Sequence, residues 1–108
     1  MKDLVSPFAQ RIYDALLKVP AGKITTYKDL AHAVGTRAYR AVGVSLSKNP
    51  FAPDVPCHRV IASDGSIGGF MRKKSGPDVE RKKKMLKNEG IPIEYNQITN
   101  FQKYLYQF

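Results

Sequence analysis

The chain has 108 residues, 18 of them Lys or Arg against 9 Asp or Glu, for a formal net charge of +9 and an isoelectric point near 9.8. That length fits one domain able to bury a core without metal or disulfide support, and the lone cysteine excludes an internal disulfide. No apolar run approaches the roughly 20 residues that cross a bilayer and nothing near Met1 reads as a leader, so a soluble intracellular protein, cytoplasmic or nuclear, is expected, with no membrane contact and with nucleic acid first among partners for its positive field.

Ser6-Pro7 reads as a helix start, serine as N-cap and proline in the first turn, and Phe8, Ile12, Ala15, Leu16 and Val19 then recur at helical spacing. Pro20-Ala21-Gly22 breaks that helix, and Thr26 is a candidate N-cap for a short second one carrying Leu30, Ala31 and Val34, stopped by Gly35. Thr36 can cap again, so the pattern predicts a third helix from about Arg37 to Lys48, ending before Asn49-Pro50. Two short helices across a glycine turn make a helix-turn-helix pattern, one that also occurs in proteins that never touch DNA. Its second helix offers Arg37, Arg40 and Lys48 to phosphates or grooves, while His32 is expected on a helix surface with no assigned role.

Pro53 and Pro56 keep the following loop irregular and deliver the chain to Cys57. Val60-Ile61 and Ser66-Ile67, across Ser63-Asp64-Gly65, predict a small hairpin ending in Gly68-Gly69-Phe70, where a wing would follow a helix-turn-helix. Eight basic side chains fall between 71 and 87, and Pro77-Asp78 opens a last helix with a thin apolar stripe of Val79, Met85 and Leu86, closed by Asn88-Glu89-Gly90. Ile91-Pro92-Ile93 is extended, and Phe101, Tyr104, Leu105, Tyr106 and Phe108 are expected to pack on the core. The predicted fold is a single α+β domain over 1–108, mainly helical and winged-helix-like.

Free cysteines are often buried, inert hydrophobes. Cys57 stands instead between a proline-stiffened loop and His58-Arg59, where cationic or hydrogen-bonding groups favour the thiolate. Successive side chains of an extended strand point to opposite faces, so a bridging water is the expected link between thiol and imidazole.

Pro56-Cys57-His58-Arg59-Val60-Ile61 resembles the active-site signature of the O6-alkylguanine-DNA alkyltransferases, or methylated-DNA–protein-cysteine methyltransferases. Gly22-Lys23-Ile24-Thr25-Thr26-Tyr27 with Leu30-Ala31, Arg40-Ala41-Val42-Gly43, Asn49-Pro50, Gly68-Gly69-Phe70 and Glu89-Gly90 match the family in order, over about residues 5 to 93. The resemblance implies DNA repair by irreversible, once-only transfer of an alkyl group from O6-alkylguanine to Cys57 after the nucleotide is flipped out, with no cofactor and no metal. It implies that His58 takes the thiol proton through a water, that Glu89 orients the imidazole and that Asn49 braces the loop. Tyr27 would reach the purine ring, and Arg40 would fill the gap left in the duplex. Thr26, Tyr27, Arg37, Tyr39, Ala41 and Lys48 are the other implied contacts of a monomer in the minor groove of double-stranded DNA, and Val60, Phe70 and Met71 join Tyr27 around the pocket. Most of the family carries an N-terminal ribonuclease-H-like domain, which is expected to be absent here. The alkyltransferase-like proteins consist of this domain alone, bind alkylated guanine without transfer and have tryptophan at the cysteine position, so a binding-only protein is the alternative.

Overall fold

A computed structural model describes residues 5–52, 54–67 and 77–108. Helix α1 (Pro7–Leu16) starts where the Ser6 hydroxyl accepts the Ala9 N–H at 3.1 Å, and its buried stripe of Ile12, Tyr13, Ala15 and Leu16 faces the core. Strand β1 (Thr25–Thr26) leads directly into α2 (Tyr27–Ala33), whose cap is the Thr26 hydroxyl accepting from the Asp29 N–H. Gly35, at φ +78, turns the chain between the helices. Helix α3 spans Tyr39–Ser47 and so starts two residues later than the expected one. The Thr36 hydroxyl accepts the N–H of Ala38, two residues on, a local turn that competes with capping. Helices α1, α2 and α3 pack on one another around Leu16, Leu30, Ala31, Val42 and Leu46.

After a 3-10 turn at Cys57–Arg59, strand β2 (Val60–Ile61) pairs in parallel with β1, Thr25 opposite Val60 and Thr26 opposite Ile61. The expected pairing of 60–61 with 66–67 is therefore corrected. Ala62 and Ser66 close only a tight turn, and the Ile67 N–H goes to the Asn96 carbonyl at 2.8 Å. The small hairpin lies further on, between β3 (Ile93–Glu94) and β4 (Gln97–Ile98). In between, α4 (Pro77–Asn88) buries Val79, Lys82 and Leu86, and Gly90 at φ +87 ends it.

A one-turn helix α5 (Phe101–Tyr104) returns the tail to Ile24, whose N–H donates to the Tyr104 carbonyl and whose carbonyl accepts from the Tyr106 N–H. Leu105 thus lies parallel beside Ile24 and extends the β1–β2 pair by one bridge. Phe101, Tyr104 and Leu105 pack on a second core of Ile24, Ile61, Leu86, Ile91 and Ile98, and Tyr106 packs on the first, as expected. Phe108 departs from expectation: it is exposed, with its ring edge-on to Tyr106. No helix among the described residues is long and apolar enough to cross a membrane.

The turn after β2 depends on Gly65, which sits at φ +86 with the Phe101 ring against the place a Cβ would take. Gly65→Ala combines a left-handed backbone with overpacking, so denaturant titration should show a loss of about 2 to 4 kcal/mol. A loss below about 1 kcal/mol would mean that the ring moves aside freely.

Candidate active site

The loop before Cys57 is held from one side chain. Buried Asn49 donates through Nδ2 to the Val55 carbonyl at 2.8 Å and accepts the Phe51 N–H at Oδ1. The same Val55 carbonyl accepts the Cys57 N–H at 2.8 Å. Asn49 therefore shapes the loop that leads to Cys57.

Cys57 is 6% exposed and opens the 3-10 turn that also carries His58 and Arg59. This corrects the expectation of an extended strand, with its alternation of side chains to opposite faces. His58 Nε2 lies 3.0 Å from Glu89 Oε2, and Arg59 grips the same carboxylate twice, Nε to Oε1 at 2.9 Å and Nη2 to Oε2 at 2.7 Å. Arg59 Nη1 also donates to the Val19 carbonyl. Burial pushes the Glu89 carboxyl up, but the bonds from Arg59 and His58 and their charges outweigh it and the net shift is downward. An ionised Glu89 can only accept, so the hydrogen between it and His58 sits on Nε2 and the lone pair of the neutral ring sits on Nδ1. Burial, the largest effect on His58, lowers its pKa from 6.5 despite Glu89. The ring is thus neutral, and basic at Nδ1, near pH 7.

Lys82 is one of the eight basic side chains between 71 and 87, yet it is fully buried, with Nζ donating to the carbonyls of Val60 and Ile67 at 2.7 and 2.8 Å. Its spacing from Val79 and Leu86 on one helix face was the available signal, hidden by the charge. The grip of Arg59 on Glu89 is not legible in the sequence, because the turn that aims it there cannot be read from periodicity. Val60, implied in the pocket, is buried, and its carbonyl accepts one bond from Lys82.

Tyr27 is half-buried on the first core. Burial first, and a charge on Cys57 second, raise both its pKa and that of Tyr13, so both hydroxyls stay protonated at neutral pH. Tyr13 also donates to the Ser45 carbonyl, tying α1 to α3. Arg37, Tyr39, Arg40, Ala41 and Lys48 all lie exposed along α3 and its entry, lining a groove of about 970 Å³ between α3 and the start of α1. Thr26 is not with them: it is buried and its hydroxyl is occupied by the α2 cap. Phe70 and Met71 fall outside the described residues. A buried thiol beside a neutral imidazole held by an ionised carboxylate has the parts of a nucleophile, a base and its orienter.

The family model for the DNA-binding domain of 6-O-methylguanine DNA methyltransferase matches residues 7–91. A methylated-DNA–protein-cysteine methyltransferase of Metallosphaera sedula is 49% identical over 87 residues, covering 81% of this chain and 51% of that protein. The chain therefore spans about half the length of the curated relatives it matches. The crystal structure of the O6-methylguanine-DNA methyltransferase of Pyrococcus kodakaraensis superposes with a TM-score of 0.70 at 45% identity, over 81% of this chain and 48% of that one. That of Schizosaccharomyces pombe Atl1 with damaged DNA containing O6-carboxymethylguanine gives 0.79 at 29% identity, over 99% and 97%.

Burial, partly opposed by a charge on Cys57, brings the pKa of Lys82 from 10.5 down to about 7. Between those two values the unfolded chain holds an additional proton, so this group makes stability rise with pH across that window, by up to about 1.4 kcal/mol per pH unit. Urea titrations at pH 7 and pH 9 should show the rise in the wild type and its loss in Lys82→Met. Equal pH dependence in the two proteins would contradict a lysine that folds neutral.

Proposed function

Because the chain belongs to the 6-O-methylguanine DNA methyltransferase family, matching its DNA-binding domain, we propose that it repairs O6-alkylguanine in duplex DNA by taking the alkyl group onto Cys57. The observation that carries this reading is the cysteine at the head of a turn whose next two residues both hold Glu89.

An alkyl group on the guanine oxygen lies inside the stack, so the nucleotide must leave the duplex, at a cost of a few kcal/mol that a weakened pair reduces. Helix α3 enters the minor groove, where readout is poor in sequence information and suits a protein that must act anywhere. Arg40, exposed in its first turn, fills the gap, while Arg37 and Lys48 meet phosphates and make binding salt-dependent. His58 Nδ1 takes the thiol proton through a water, with Nε2 held by Glu89. The thiolate attacks the alkyl carbon, the S–C bond forms as the C–O bond breaks, and the electron pair returns to the purine. Tyr27, protonated at neutral pH, donates its hydrogen to the purine ring nitrogen as charge builds there. The proton taken by His58 replaces the one Tyr27 gave, leaving a thioether and an ordinary guanine, so no cofactor takes part and each molecule acts once, wherever the cell keeps its DNA.

The second reading, lesion binding without transfer, is favoured by the likeness to Atl1 over nearly the whole of both chains. Cys57 and the bound Glu89 favour transfer. Incubation with an oligonucleotide carrying O6-methylguanine should add one methyl mass to the Cys57 peptide, at no more than one equivalent, whereas tight binding without that gain would leave the second reading. Arg40→Ala should slow transfer from duplex about tenfold or more relative to transfer from free O6-benzylguanine, tenfold being about 1.4 kcal/mol of the flipping cost. Equal losses on both substrates would remove Arg40 from the duplex.

A further inference from the structure

The first turn of α3 carries Arg40, yet little of the fold holds that turn. Helices α1 and α2 begin on side-chain caps, whereas Ala38 gives α3 none and the Thr36 hydroxyl is occupied by the Ala38 N–H. Residues 37–41 are all exposed, and burial starts one residue later, at Val42. Rigid placement of the finger therefore needs another anchor.

That anchor is on the preceding helix. His32 lies in the last turn of α2, which is fixed by fully buried Leu30 and Ala31. Its Nε2 is 2.7 Å from the Tyr39 hydroxyl, and the two rings meet edge-on at 5.7 Å and 62°. Either group can donate in this bond, so it survives a change of tautomer. Tyr39, the first residue of α3, remains 39% exposed on the groove side.

We propose that His32 and Tyr39 form a side-chain lock that replaces the missing cap of α3 and positions Arg40 for entry into the duplex. His32 is thereby a positioning residue for damage repair, acting through Tyr39 and touching neither the lesion nor the thiol. The lock rests on the repair reading only for its effect on transfer; its effect on duplex binding stands apart from it.

The test compares wild type, His32→Ala, His32→Gln, Tyr39→Phe and the His32→Ala/Tyr39→Phe double variant. Transfer is measured from an O6-methylguanine duplex and from free O6-benzylguanine, and affinity is measured by polarisation on undamaged duplex. Loss of one such bond should slow duplex transfer about fivefold in His32→Ala and in Tyr39→Phe. The double variant should be no slower than either single one, because both remove one interaction. His32→Gln, whose amide can meet the hydroxyl, should recover most of the rate, and His32→Ala should change the free-base reaction less than about twofold. Equal losses on both substrates, an unchanged duplex rate, or multiplicative losses in the double variant would overturn the lock. If no protein, wild type included, transfers an alkyl group, the repair reading has failed and polarisation decides: weaker duplex binding in both single variants supports the lock, and unchanged binding overturns it.

Discussion

The carboxylate of Glu89 ties together three stretches that are far apart in sequence. Arg59 binds it through two parallel bonds, His58 through one, and the third arm of Arg59 reaches the Val19 carbonyl just beyond α1. Glu89 directly follows α4, where the helix dipole disfavours negative charge. The planar guanidinium supplies both charge and geometry there, which a lysine would not. With Glu89 fixed, the imidazole has one available orientation and one tautomer, and the turn bearing Cys57 is anchored from both sides.

Other constraints hold the frame around that turn. Asn49 fixes the loop that enters it, and the parallel β1–β2 pair links its exit to the strand that starts α2 and presents Tyr27. Lys82 stitches the carbonyls of Val60 and Ile67 from beneath, at the cost of burying an amine. The segment from 93 to 108 lies beyond the family match at 7–91, yet it bonds to both sides of this frame, at Ile24 and at 65–67.

Much of this was legible where short-range chemistry decides. Ser6 and Thr26 cap helices as their side chains suggest, the apolar spacing of α1 is its buried face, and the order of motifs around Cys57 named the family. Features that depend on distant partners were not legible. Val60-Ile61 reads like half a local hairpin but pairs with residues 25–26, and sequence carries no marker for that parallel register. The true hairpin turns at Tyr95-Asn96, with Tyr95 in a left-handed conformation (φ 56) that ordinarily calls for glycine or asparagine, so Asn96 alone was too weak a turn signal to announce it. Lys82 was hidden by its charge, and Arg59 by a turn that periodicity cannot show.

The proposed reactive centre and the proposed DNA-binding helix thus rely on different kinds of support. His58, Arg59 and Glu89 are held by part-buried, charge-assisted bonds, whereas Arg40 projects from an exposed turn held by the His32–Tyr39 bond. In this account His58 is a neutral imidazole whose Nδ1 keeps its lone pair, because Nε2–H is committed to an ionised Glu89. Nitrogen NMR of the labelled imidazole at pH 7 tests it most directly. The expected spectrum shows a protonated Nε2 and an unprotonated Nδ1, with titration below the ordinary 6.5; a hydrogen on Nδ1, or a doubly protonated ring at pH 7, would contradict it.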